Sequence, residues 1–231
     1  MPNTQNGSGD IEAKPNAYVE RIADGVSAIT LNRPKQKNAI SVKLLGELKA
    51  SIEQAADDQR RVSFECHSSS NLQTDLVLNR YAFQRCSNNS SGRAKPSLRV
   101  LIIRSSERGS FCAGADLAER RTMSPAAVSL FLQNLRSTFT LLQNFHMPTI
   151  AAIDGPCLGG GLELSLACDF RVAGSQAKKI GLPETKLGII PGAGGTQRAT
   201  RLLGITKAKE LVFTGRMMDA DAALAFGTYH L

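Results

Sequence analysis

Two carboxylates, Glu163 and Glu184, stand 21 positions apart, the first in PCLGGGLELSLACDF (156–170) and the second in IGLPETKLGIIPGAGG (180–195). Two carboxyl groups beside a polarised carbonyl can divide proton work, one activating a water and the other managing its proton. Glu163 follows a glycine triplet, Gly159 to Gly161, which itself follows the apolar run TIAAIDG. A strand, a glycine turn and a helix in that order place the N–H of Gly160 and its neighbours at a helix N-terminus, which favours a developing oxyanion. A second turn, FCAGADL (111–117), follows LRVLIIRS (98–105) and presents the amides of Cys112 to Ala115. Two such turns can converge two N–H donors on one carbonyl oxygen, and losing one donor typically costs about 10²–10³ in rate. Plainer roles suit the same residues: glycines that permit close packing, Glu163 answering a helix dipole, and Glu184 capping the next turn.

Cys112 invites a role as thiol nucleophile, but none of the three histidines, His67, His146 and His230, is placed as its base. Its amide is the better candidate. Five cysteines, without a secretory segment and without metal-ligand spacing, read as reduced thiols, and no metal is expected.

Several elements must position these groups. YVERIA and VSAITL form two strands joined at Asp24-Gly25. Ser41 caps a helix over 42–56, with Leu44, Leu45, Leu48, Ile52 and Ala55 at helical spacing. Ser124-Pro125 opens another, with Val128, Phe131, Leu132, Leu135, Phe139 and Leu142 on one face. Strands at 98–105, 149–154, FRVAGS and KIGL, and helices near 196–203 and 206–213, complete an α/β alternation.

At 231 residues, 42% hydrophobic and 21% charged, the chain has the make-up of one globular domain. No apolar run reaches the roughly 18 residues of a membrane span. Of the net charge of +8, half falls in 60–97, where six basic residues face two acidic ones. That segment is rich in serine and asparagine and reads as a disordered insertion; residues 1–17 read as a disordered lead-in.

The motifs LNRP…KNAI, FCAGADL, AAIDG…LGGGLEL…ACD, GLPET…LGIIPGAGGTQR and AKELVFTGR occur in the order of a known family. Over about 18–60 and 98–227 the chain resembles the enoyl-CoA hydratase/isomerase (crotonase) superfamily. Its wording is nearest the mitochondrial methylglutaconyl-CoA hydratase-like and plant mitochondrial branches. The resemblance implies a repeated ββα spiral, the ClpP-like crotonase fold. It implies hydration of trans-2-enoyl-CoA to 3-hydroxyacyl-CoA, in fatty-acid or branched-chain amino-acid breakdown, with an enoyl-CoA isomerase, an acyl-CoA hydrolase or an inactive truncated isoform as the alternatives. By motif, Glu163 and Glu184 are the catalytic acids, and the amides of Cys112 and Gly160 form the oxyanion hole. Lys37, Ala39 and the stretch Cys112, Ala113, Gly114, Ala115, Asp116, Leu117 would line the coenzyme A path. Gly159, Gly160, Pro183 and Gly192 would also meet substrate. Coenzyme A belongs to the substrate, so no separate cofactor is implied.

The resemblance further implies a homotrimer or dimer of trimers and a mitochondrial location. The polar first residues show no amphipathic presequence, which leaves a cytoplasmic location as the alternative. The family continues past DADAALAFG into more helices, so the expectation here is a chain lacking its C-terminal helical part, interrupted at 60–97, and possessing an extra residue in AGSQAKKIGLPE. RNA binding is not expected. Within SVKLLGELKASIEQAADD, Lys43 and Lys49 are offset by Glu47, Glu53, Asp57 and Asp58, and the basic segment has only Tyr81 and Phe83 to stack on bases.

Overall fold

The computed structural model describes residues 14–67 and 98–230. The chain opens with β1 (Ala17–Ala23) and β2 (Val26–Leu31), then α1 (Val42–His67), β3 (Val100–Ser105), the short α2 (Leu117–Arg120) and α3 (Pro125–Gln143). β4 (Thr149–Ile153), β5 (Cys157–Leu158), α4 (Gly160–Ser165), β6 (Phe170–Ala173) and β7 (Ile180–Gly181) follow. The last elements are α5 (Gly195–Leu203), α6 (Ile205–Thr214), β8 (Met217–Met218) and α7 (Ala220–Phe226).

Five strands form one sheet in the order β1-β2-β3-β4-β6, and three form a second in the order β5-β7-β8. The first pair is antiparallel across the Asp24-Gly25 turn, and β2, β3, β4 and β6 run parallel. Two isolated parallel bridges, Ile40 to Ala115 and Cys112 to Cys157, continue the line of the small sheet. Each of four successive repeats therefore gives one strand to the large sheet and one short extended contact to the small one: β2 then Ile40, β3 then Cys112 to Ala115, β4 then β5, and β6 then β7. This is the expected ββα spiral.

Parallel strands covered by helices bury alternate side chains. Ile29, Leu31, Leu101, Ile103, Ala151 and Ile153 are almost wholly buried beneath Leu44, Leu48 and Ile52 of α1 and Phe131, Leu135, Phe139 and Leu142 of α3. Both predicted N-caps are made: Ser41 Oγ accepts from the Leu44 N–H, and Ser124 Oγ from the Ala127 N–H.

Two boundaries differ from expectation. α1 continues to His67, well past 56, so residues 60–67 of the predicted disordered insertion are helical. The run after Asp58 lacks proline or glycine to stop a helix, a signal that apolar periodicity alone does not register. The remainder of that segment, with Tyr81, Phe83 and Cys86, lies outside the described residues. At the other end, β1 starts at Ala17 inside the predicted lead-in, because Glu47 Oε2 accepts from the Asn16 and Ala17 N–H groups. No described helix is long and apolar enough to cross a membrane.

Candidate active site

β4 and β5 deliver the glycine triplet to the start of α4. Gly159 has φ +50°, a left-handed value that side chains disfavour. A Cβ there would also come 2.8 Å from Glu184 Oε1. At Gly161 a Cβ would run into the Cys112 carbonyl. The glycines thus let two turns touch, and they let Glu184 approach the backbone of the first.

That contact decides which amides are available. Along 111–116 the N–H groups of Phe111 and Cys112 both donate to Pro156 O, and that of Ala113 donates to Lys37 O. The Gly114 N–H goes to the Cys112 sulfur, and the Asp116 N–H to Ile40 O. Ala115 is left, its N–H donating to no described acceptor, and the N–H of Gly160 at the first turn of α4 is in the same condition. The two are neighbours: a Cβ on Gly160 would lie 3.6 Å from Ala115 N.

The expected pairing of Cys112 with Gly160 is therefore not available, because Pro156 O takes the Cys112 amide; the neighbouring free amides are those of Ala115 and Gly160. Cys112 is engaged in the parallel bridge to Cys157. Its thiol donates to Asn38 O and burial pushes its pKa up to about 12, so it is no nucleophile either. The sequence marked the turn, but only the register with Ile40 and Cys157 says which of its amides are free.

Glu163 is 2% exposed. Its Oε1 accepts from the Ala193 and Gly195 N–H groups, both at 2.8 Å, in the PGAGG turn that opens α5. Burial raises its pKa; the two amides and the nearby Arg198 guanidinium pull the other way. Glu184 enters in the short 3-10 turn Pro183–Leu187 and is 9% exposed. Its Oε2 is buried with no hydrogen-bond partner among the described residues. Burial first, then the charge of Glu163, push its pKa up to about 7. A carboxylate tied by two amides and a carboxyl with one unpartnered oxygen that titrates near neutrality thus lie close to two free amides.

The remaining expected residues divide. Ala113, Gly114 and Ala115 line the turn beside the two amides, and Gly159 and Pro183 bracket Glu184. Lys37 is exposed in a left-handed conformation at its edge, its carbonyl held by Ala113 N and Ser110 Oγ. Ala39 gives its carbonyl to Arg33. Asp116 caps α2 and pairs with Arg33 at 2.6 Å, so its carboxylate is already engaged; Leu117 beside it is exposed. Gly192 packs on Leu132 of α3 and belongs to the turn that holds Glu163. Sequence reasoning passed over Ala193, Gly195 and Arg198, although all three lie in the glycine-rich stretch it had marked.

The enoyl-CoA hydratase/isomerase family model matches residues 82–229. The chain belongs to this family. It is 46% identical over 203 residues to the enoyl-CoA isomerase/hydratase fer4 of Mycosarcoma maydis, covering 88% of this chain and 63% of that one. It is 41% identical over 226 residues to the probable mitochondrial enoyl-CoA hydratase 2 of Arabidopsis thaliana, covering 96% and 62%. The crystal structure of an enoyl-CoA hydratase from Bacillus anthracis superposes with a TM-score of 0.72 at 38% identity, covering 93% of this chain and 68% of the other. The chain thus spans a little under two thirds of the length of these curated relatives.

Burying Glu184 with one oxygen unpartnered has a stability consequence. Its folded pKa of about 7 lies above the ordinary 4.5, so the folded state favours the protonated form. The group weakens the fold progressively between pH 4.5 and 7, and by a constant amount above. Glu184→Gln is expected to be more stable than the parent by about 1–3 kcal/mol at pH 8 and equal to it near pH 4.5. Urea melts at the two pH values test this, and an equal gain at both would refute it.

Proposed function

We propose that this chain adds water to trans-2-enoyl-CoA thioesters to give 3-hydroxyacyl-CoA. The observation that carries the reading is the pair of free amides, Ala115 and Gly160, beside two carboxyl groups of which one is tied and one is not. The thioester oxygen sits between the amides, which stabilise the negative charge it gains as the enolate forms. Glu163, fixed through Oε1, accepts a proton from water as the oxygen attacks C3. Glu184 gives its proton to C2. Proton exchange between the two carboxyl groups restores the starting state, so no cofactor takes part. The names of the relatives, enoyl-CoA hydratases among them, support the same substrate class.

Double-bond isomerisation is the second reading, supported by the name of the Mycosarcoma relative. It requires only one carboxyl group to carry a proton between carbons, and the untied Glu184 favours hydration over it. Assembly into trimers is part of the proposal. Leu187, Ile189, Ile190, Ile205 and Phe213 are large apolar side chains exposed on the described surface, the kind that self-association covers. A mitochondrial setting rests on the Arabidopsis relative's name. The test is loss of enoyl-thioester absorbance from crotonyl-CoA, with product identified as 3-hydroxybutyryl-CoA. Consumption of a 3-enoyl-CoA without hydration would overturn the reading in favour of isomerisation.

A further inference from the structure

A second constellation lies on the far side of the turn that holds Glu163. Arg198 gives its Nη1 to Ala193 O and its Nε to Gln143 Oε1 at 2.8 Å, while the amide of the same Ala193 serves Glu163. The turn therefore stands between guanidinium and carboxylate. Beyond Arg198 opens a cleft of about 280 Å³ between α3 and α5. Arg136, Thr140 and Gln143 line it from α3 at spacings of four and three, one helix face. Gln197, Arg198 and Arg201 line it from α5.

The chemistry of this cleft is one-sided. It carries three guanidinium groups and no carboxylate. None of the three arginines makes a salt bridge with an acid among the described residues. Arg201 and Arg198 lie close enough to repel, and Arg198 is 9% exposed. Because Gln143 Oε1 accepts from Arg198, its amide NH₂ is left as a donor, and the Thr140 hydroxyl adds another. Like charges gathered across two helices with donors between them are the pattern that binds a multiply charged oxyanion, since guanidinium forks match its geometry.

We propose that the cleft between α3 and α5 binds a small dianionic oxyanion, of phosphate or dicarboxylate type, through Arg136, Arg198 and Arg201. Such an anion bridges the two helices and braces the turn that feeds two amides to Glu163. The cleft lies on the other side of the Gly192 to Gly195 turn from the Glu163 carboxylate, with Arg136 Nη1 donating to Gly192 O, and the proposal does not depend on hydration being the reaction.

Calorimetric titration of the full chain tests it, with inorganic phosphate and malonate in separate arms at fixed ionic strength. Excess coenzyme A is present to occupy any site for the nucleotide phosphates. Saturable binding is expected in at least one arm, and which arm saturates identifies the source. The Arg136→Gln/Arg201→Gln double variant should weaken it at least tenfold. Both residues are exposed, so the variant should melt with the parent. Lys37→Ala, at the substrate turn, should bind as the parent does. Heats that never saturate in either arm, or a double variant that binds like the parent, overturn the proposal.

Discussion

Replacing Glu163 by glutamine is expected to lower kcat for crotonyl-CoA hydration by on the order of 10³, with the fold intact. The substitution is close to a pure removal of charge and basicity. Glutamine still offers an oxygen to the Ala193 and Gly195 amides, which now hold Oε1, so the turn opening α5 keeps its bonds. What disappears is the group that, in the proposed mechanism, takes the water proton. Glu184→Gln should cost a similar factor by a different route, because it removes the proton meant for C2. The two variants separate in their pH behaviour. Under the proposed mechanism hydration needs Glu184 protonated, and with its pKa near 7 the hydration rate should fall as pH rises through neutrality. Dehydration of the 3-hydroxyacyl thioester needs the ionised form and should rise over the same range. Residual activity in Glu184→Gln should lose that limb, whereas residual activity in Glu163→Gln should keep a limb, moved to lower pH because the charge that raised Glu184 is gone. Initial rates between pH 5.5 and 9, with circular dichroism as a check on folding, decide this. A Glu163→Gln protein within tenfold of the parent would show that the tied carboxylate is not the base.

The second large effect concerns stability. Arg171 on β6 is 3% exposed and makes no salt bridge among the described residues, although the Asp169 charge lies near it; its guanidinium donates to carbonyls. Nε donates to Thr228 O, Nη1 to Ser165 O and Cys168 O, and the 2.7 Å bond to Cys168 is the shortest. Ser165 closes α4, so this cation stabilises the negative end of the helix whose other end presents the Gly160 amide. It also fastens the segment after α7, where Thr228 and Tyr229 are buried. Arg171→Met should therefore destabilise by about 3–5 kcal/mol, because three buried carbonyls lose their donors together. For a domain of this size that corresponds to roughly 6–20 °C in Tm. Arg171→Lys should recover little of it, since one ammonium lacks the fork that reaches both sides. A thermal melt of each variant is the measurement, and a loss under 1 kcal/mol in the methionine variant would refute the account.

Much of this protein is fixed by local order in the chain. Alternating apolar strands, the Ser41 and Ser124 caps and the glycine turns are short-range features, governed by side-chain period and backbone freedom, and they led directly to an α/β alternation with Glu163 and Gly160 at a helix start, the spiral itself being what the family resemblance implied. Glu184 was legible too, as an acid in an apolar exit from a strand. What the tertiary structure alone decided is which groups are still free to do chemistry. A hydrogen-bond donor is available only if no neighbour has taken it, and neighbours come from distant repeats: Pro156 takes the Cys112 amide, Ile40 takes that of Asp116, and Ala115 is left. The same holds for the pair of acids. Glu163 is tied because a turn 30 residues later reaches it, whereas Glu184 has an untied oxygen because Gly159 admits it to a buried place without a donor. Residue type sets what a group can do, and long-range packing sets whether it remains free to do it.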